Sequence, residues 1–131
     1  MPQTIQQSVT LPAAAARLFD MYLDPKPHAA FTGSPVTVGA EPGSPFDAFA
    51  GRLSGRMPYT VPKRLIVQAW RSTQFKPEDI DSILILTFAP QGNSGRIDLV
   101  HLNLADHDVQ GVTEGWRKYY WERWRRYLEM H

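Results

Sequence analysis

The sequence contains no cysteine. That removes disulfides, thiol nucleophiles and cysteine-based zinc sites together. A cysteine-free chain suits a reducing compartment, and the expected localisation is cytoplasmic. Charge of one sign is also missing, because fourteen Lys+Arg stand against thirteen Asp+Glu for a formal net charge of +1. A nucleic-acid partner requires a clustered basic excess, so none is expected. Long hydrophobic runs are absent. The longest apolar run, Ile83–Leu86, is far short of the ~20 residues of a membrane-spanning helix, and no membrane partner is expected. Residues 1–7 carry neither a basic nor an apolar segment, so no secretory signal is expected. Repeats and low-complexity tracts are lacking. So are the nucleophile elbow G-x-S-x-G, the P-loop, G-x-G-x-x-G and any H-x-x-x-H spacing among the four histidines. Covalent catalysis, nucleotide binding, a metal or another cofactor therefore have no support in the sequence.

What is present fits one globular domain over residues 1–131, with 43% hydrophobic and 21% charged residues around one core. Thr4–Leu11 alternates as a strand. Pro12 can open a helix over Ala13–Leu23, which begins with four alanines and carries Leu18, Phe19 and Tyr22 on its packed side. Asp24–Pro27 breaks it, and His28–Phe31 reads as one helical turn stopped by Gly33. Strands are then expected at Ser34–Val38, Phe46–Leu53, Arg64–Arg71, Ser82–Phe88 and Arg96–Leu104. Gly51 and Gly55 mark a bend, and Arg56–Pro62 is read as a connection. The near-continuous apolar run in Ser82–Phe88 predicts a strand covered on both faces. Gly92–Gly95 predicts a hairpin turn.

Gly111–Leu128 has helical periodicity. At about 100° per residue, Val112, Trp116, Tyr119, Tyr120, Trp124, Tyr127 and Leu128 share an apolar face. Lys118, Glu122, Arg125, Arg126 and Glu129 lie opposite. The same phase places Trp121 toward the polar side and Arg123 near the middle of the apolar face. The fold class is thus α+β: a curved antiparallel sheet of about six strands around a long C-terminal helix, with one or two short helices after the first strand.

Five stretches carry a family resemblance. They are His28-Ala-Ala-Phe-Thr-Gly33, Leu65–Arg71, Asp81–Phe88, Val100–Asn103 with Asp106-His107, and Gly115–Trp121 followed by Trp124 and Tyr127-Leu128. In that order they resemble the START-like helix-grip superfamily (SRPBCC). Within it they are similar to the bacterial branch related to the C-terminal domain of the activator of the ninety-kilodalton heat-shock-protein ATPase. The resemblance implies the helix-grip fold, a space between sheet and helix, and a chaperone as one candidate partner. The sequence departs from the branch pattern at Arg123, where a proline is expected.

Candidate site residues follow from which side chains should face that space. Trp70, Trp116, Tyr120 and Trp124 offer aromatic lining with polar tips. His101 and Asn103 share strand parity with Ile97 and Leu99, so they are read either as a ligand-orienting polar pair or as a hydrogen-bonded pair in a packed sheet. Arg123 either anchors an acidic head group or lays its stem on apolar surface with its head in water. His28 is read as structural, or as the partner of His101 in an acid/base pair at the cavity mouth. Asp106-His107-Asp108 offers metal-capable side chains, but consecutive residues do not converge on one ion by themselves, and Asp108 is the expected helix cap. Three functions compete. One is a non-catalytic domain holding a small hydrophobic or amphipathic ligand. Another is a co-chaperone-like interaction domain stimulating a chaperone ATPase. The third is a small cyclase- or hydrolase-like enzyme using a cavity histidine. Open sheet edges also offer a route to a homodimer.

Overall fold

The computed structural model of the protein describes residues 3–130. One antiparallel sheet has seven strands in the order β1-β7-β6-β5-β4-β3-β2. They are β1 (Gln3–Leu11), β2 (Val36–Thr37), β3 (Ser44–Ala48), β4 (Leu53–Val61), β5 (Leu65–Ser72), β6 (Ser82–Gln91) and β7 (Ser94–Leu104). Two helices, α1 (Ala15–Leu23) and α2 (Pro25–Thr32), follow β1. At the other end of the chain, a 3₁₀ turn at Asp106–Asp108 leads into α3 (Val109–Gly115). A π-helical turn (Trp116–Trp121) and α4 (Glu122–Met130) continue the same C-terminal helix. The helix-grip architecture expected from the sequence is the one observed.

Several elements differ from expectation for local reasons. Pro12 does not open α1, which starts at Ala15 with Ala14 in extended backbone. The proline-rich stretch after α1 begins the next helix instead of a loop. Asp24 accepts the Lys26 N–H with its side chain, Pro25 occupies the first turn, and Gly33 ends α2 in the left-handed region at φ 79°. Phe46–Leu53 is not one strand. It holds the end of β3, a turn in which Phe49, Ala50 and Gly51 all have positive φ, and the first residue of β4. The expected connection at Arg56–Pro62 lies largely in β4, which absorbs Pro58 at a register shift against β5 between Arg56 and Tyr59. Splitting that stretch into β3 and β4 yields the seventh strand. Along β6, Ser82, Leu84, Leu86 and Phe88 are buried, but Ile83 and Ile85 are only half-buried and Thr87 is exposed. One face of the sheet is therefore open, contrary to the reading that both are covered.

The core fills the concave face. Leu11, Leu18, Tyr22, Phe46, Met57, Ile66, Leu84, Leu86, Ile97, Leu99, Leu104 and Trp124 are its large, fully buried side chains. Two glycines are demanded by packing. A Cβ on Gly55 would lie 1.8 Å from the Ala69 carbonyl oxygen on β5. A Cβ on Gly95 would meet Leu18, Ala13 and Ala15 at less than 3 Å, where the start of α1 crosses β7.

The π-turn changes the helix phase. Trp116 and Trp121 are five residues apart, about 140° around a regular α-helix. Here their rings stack with centroids 5.5 Å apart, and the Glu122 N–H bonds the Arg117 carbonyl, a wider turn than i to i−4. The extra residue turns Trp121 into the interior, where its Nε1 donates to Gln7 Oε1 at 2.7 Å. It also turns Tyr119 outward to 43% exposure. Both placements reverse the sequence expectation, which assumed unbroken α periodicity.

Candidate functional site: a half-filled grip

The space between helix and sheet is closed at one end and open at the other. At the closed end, Trp124 is fully buried and stacks on Phe31 with centroids 4.2 Å apart and planes 3° apart. Its neighbours pair most of their polar tips with one another, while Gln68 Nε2 and the Trp124 indole Nε1 are buried without a hydrogen-bond partner among the described residues. Tyr22 donates its hydroxyl hydrogen to Gln68 Oε1 at 2.8 Å. His28 donates from Nδ1 to the Tyr22 carbonyl at 2.7 Å, which leaves Nε2 to accept from the Tyr120 hydroxyl at 2.9 Å. Burial pushes the His28 pKa down to about 4, and it raises both tyrosines above the ordinary tyrosine value.

His101 sits behind the helix in a second closed chain. Ser82 Oγ donates to the Trp70 carbonyl at 2.6 Å, so it accepts from His101 Nε2 at 2.9 Å. The Trp116 indole donates to His101 Nδ1 at 3.1 Å. The imidazole is fully used as a neutral ring, and burial pushes its pKa down to about 3. His101 thereby ties Trp116 on the helix to β6 and β5, with Trp70 packed edge-on to it at 4.7 Å.

The open end is a cavity of about 430 Å³, within the usual range of ligand pockets. Its helical wall is a stripe at i, i+3 and i+4 spacing: Asp108, Gly111, Val112, Gly115, Trp116, Tyr119, Tyr120 and Arg123. The facing wall comes from the β3–β4 turn (Phe49, Arg52), from Leu53 and Trp70, and from Ser72–Gln74. Arg123 is half-buried. It donates to the Thr32 carbonyl at 2.6 Å and lies over the Tyr119 ring at 4.9 Å. Asp108, near the other end of the stripe, has its carboxyl pKa raised by desolvation.

Of the residues singled out in the sequence, Trp70, Trp116, Tyr120 and Arg123 line this cavity, whereas His101, Asn103 and Trp124 do not. Trp124 belongs to the closed end and His101 to the layer behind Trp116. Asn103 falls at a bulge opposite β1, in left-handed backbone at φ 63°, which breaks its parity with His101. His28 and His101 form no acid/base pair, since each is committed to different partners. The missed wall residues Gly111, Val112 and Gly115 were readable in the helical stripe. The β3–β4 turn was not, because its positive-φ residues Phe49 and Ala50 are not glycines and carry no turn signal.

Asp108 does not cap the helix with its side chain. Asp79, from the β5–β6 connection, meets the pair His107 and Asp108. His107 Nε2 is 3.0 Å from Asp79 Oδ2, and Nδ1 is 3.4 Å from Asp108 Oδ2. Asp79 Oδ2 also accepts the Lys76 N–H at 2.7 Å. The ligand-capable atoms of the three lie within 4.8 Å of one another. With both imidazole nitrogens turned to carboxylates, the group works as a clasp between two loops.

A curved sheet holding a C-terminal helix, with a half-open aromatic cavity between them, defines a helix-grip domain of the START-like class. Residues 12–129 match the family model described as Activator of Hsp90 ATPase homolog 1-like protein, and the chain belongs to that family. It is 29% identical over 93 residues to the human activator of 90 kDa heat shock protein ATPase homolog 1. That match covers 71% of this chain but only 27% of the human protein, so the chain spans about a quarter of that relative's length. Among solved structures, an HSP90 activator from Plasmodium falciparum superposes with TM-score 0.86 at 18% identity, covering 96% of both chains. A protein from Chromobacterium violaceum gives TM-score 0.69 at 25% identity, over 88% of this chain and 91% of that one.

Proposed function

We propose that the domain is a non-catalytic binding module that holds a small amphipathic acid in the open half of the grip. The carrying observation is the cavity of about 430 Å³, walled mainly by aromatic and apolar side chains with Arg123 at one end. The apolar body of a ligand would displace water from Phe49, Leu53, Val112 and Tyr119, against the edges of the buried Trp70, Trp116 and Tyr120. Its carboxylate would take the donors of Arg123 that Thr32 leaves free. The test is titration with dodecanoate and with the neutral alcohol of the same chain length, in the wild type and in Arg123→Met. Loss of one charge-assisted bond should weaken the acid about ten-fold and leave the alcohol nearly unchanged. No binding of either probe, together with native mass spectrometry of host-purified protein showing only the 14.9 kDa chain, would sink the reading.

A co-chaperone role is the second reading, favoured by the family and by the similarity to the human and Plasmodium HSP90 activators. It requires that the purified domain raise the ATPase rate of an Hsp90-type chaperone. A flat rate at saturating domain would dismiss it.

A further inference from the structure

Six of the nine glycines in the chain have a plain local reason to be glycine. Gly33, Gly43, Gly51 and Gly92 have positive φ, and Gly55 and Gly95 have no room for a Cβ. Gly39 is tight against Ser44, at 3.1 Å. Gly111 and Gly115 are different. They lie one turn apart in α3, and Gly115 has ordinary helical angles, φ −60° and ψ −43°. A Cβ on Gly111 would meet nothing within 4 Å, and one on Gly115 would touch only Tyr119 Cδ2 at 3.8 Å. Glycine is the least favourable residue in a helix interior after proline. Neither backbone nor packing asks for it at these positions, and both glycines line the cavity.

We infer that Gly111 and Gly115 are specificity-determining residues: they leave a bare backbone ledge on which a planar, conjugated or fused-ring carboxylic acid lies, its ring facing Trp70 and its carboxylate directed to Arg123. This deepens the binding function proposed above and rests on it. The shape of the space supports the planar class. Between Val112, Trp116 and Tyr119 on the helical wall, Gly111 and Gly115 project no side chain, and the opposite wall carries the rings of Phe49 and Trp70 beside Leu53. A slot between a flat backbone surface and aromatic rings gains most from a rigid ring, which stacks and has no rotamers to immobilise. A flexible acyl chain of equal area gives up more entropy on entering it. At the end of the ledge, the Arg123 guanidinium is already held by the Thr32 carbonyl and the Tyr119 ring, so it can meet a carboxylate without further ordering.

The experiment compares anthracene-2-carboxylate, neutral anthracene and dodecanoate as probes, read by quenching of tryptophan fluorescence and by calorimetry. The proteins are the full-length wild type, Gly115→Leu and the double variant Gly111→Ala/Gly115→Ala. The wild type should bind anthracene-2-carboxylate at least about ten-fold more tightly than dodecanoate. Gly115→Leu should abolish that preference. The alanine variant should melt roughly 3–6 °C higher, because alanine favours the helix, yet bind the planar acid less tightly. A wild type that binds dodecanoate as well as the planar acid overturns the inference and leaves the binding module standing. So does an alanine variant that binds the planar acid unchanged. A wild type that binds none of the probes overturns the binding reading itself. If Gly115→Leu does not fold, the alanine variant decides alone.

Discussion

In His101, Nδ1 accepts from the Trp116 indole and Nε2 donates to Ser82, so a second ring proton would have to displace the indole. In His28, a second proton would land on Nε2, where the Tyr120 hydroxyl now donates. Burial therefore holds the folded pKa values at about 4 for His28 and about 3 for His101, against an ordinary 6.5. The sign of the linkage follows. Well above pH 6.5 both rings are neutral whether the chain is folded or not, and they contribute nothing to pH dependence. As pH falls below 6.5 the unfolded chain takes up protons that the native state refuses. Each histidine then removes stability at about 1.4 kcal/mol per pH unit until its folded pKa is reached. Urea midpoints should drop clearly between about pH 7.5 and about pH 5, while the imidazole resonances of His28 and His101 in the native protein stay in their neutral positions. Either ring titrating with an ordinary midpoint in the folded protein would contradict these hydrogen-bond directions.

At the scale of the element, the C-terminal helix is governed by its π-turn. Trp116 and Trp121 are both buried, stacked and hydrogen-bonded through their indoles, to His101 and Gln7 respectively. Trp116→Ala and Trp121→Ala should each cost about 3–5 kcal/mol, the range for truncating a large buried aromatic. Urea denaturation measures both. A small loss for Trp121→Ala alone would restore the unbroken α phase. This turn also marks where the sequence stops being legible. Residues 116, 120, 124 and 128 hold their face under either phase, and the helix, the fold class and the aromatic lining could be read from them. Trp121 and Tyr119 depend on one inserted residue, which leaves no trace in a 100° periodicity. The same limit applied at Phe49 and Ala50. Two non-glycine residues with positive φ look like strand in a residue-by-residue reading, and the turn they make forms one lip of the cavity. Four of the seven candidate residues line that cavity. Asn103 was lost to a bulge, His101 and Trp124 to depth, because parity gives a side chain's face and not how far along the grip it sits.

Taken as a whole, the molecule has a gradient of order from its closed end to its open one. In α4, Trp124 and Leu128 are buried, and Trp124 stacks on α2 through Phe31. No residue of α3 is buried; its Gly111 faces open space and its Gly115 only the edge of the Tyr119 ring. Across the cavity stands the β3–β4 turn, with Phe49 and Ala50 in a backbone region that costs energy for any residue with a Cβ. Few buried contacts and helix-disfavouring glycines together mean that opening α3 requires much less free energy than unfolding the sheet. Amide hydrogen exchange should therefore be fast over Val109–Gly115 and slow over Glu122–Met130, although the two form one continuous helix. A ligand seated against Gly111 and Gly115 binds only the closed form of that segment. It should slow exchange there by the factor 1 + [L]/Kd while leaving the α4 amides nearly unchanged. Uniform protection along the whole helix without ligand would remove the gradient. Equal slowing of α3 and α4 on adding a ligand would show stabilisation of the global fold, and so a binding site elsewhere than in the open half of the grip.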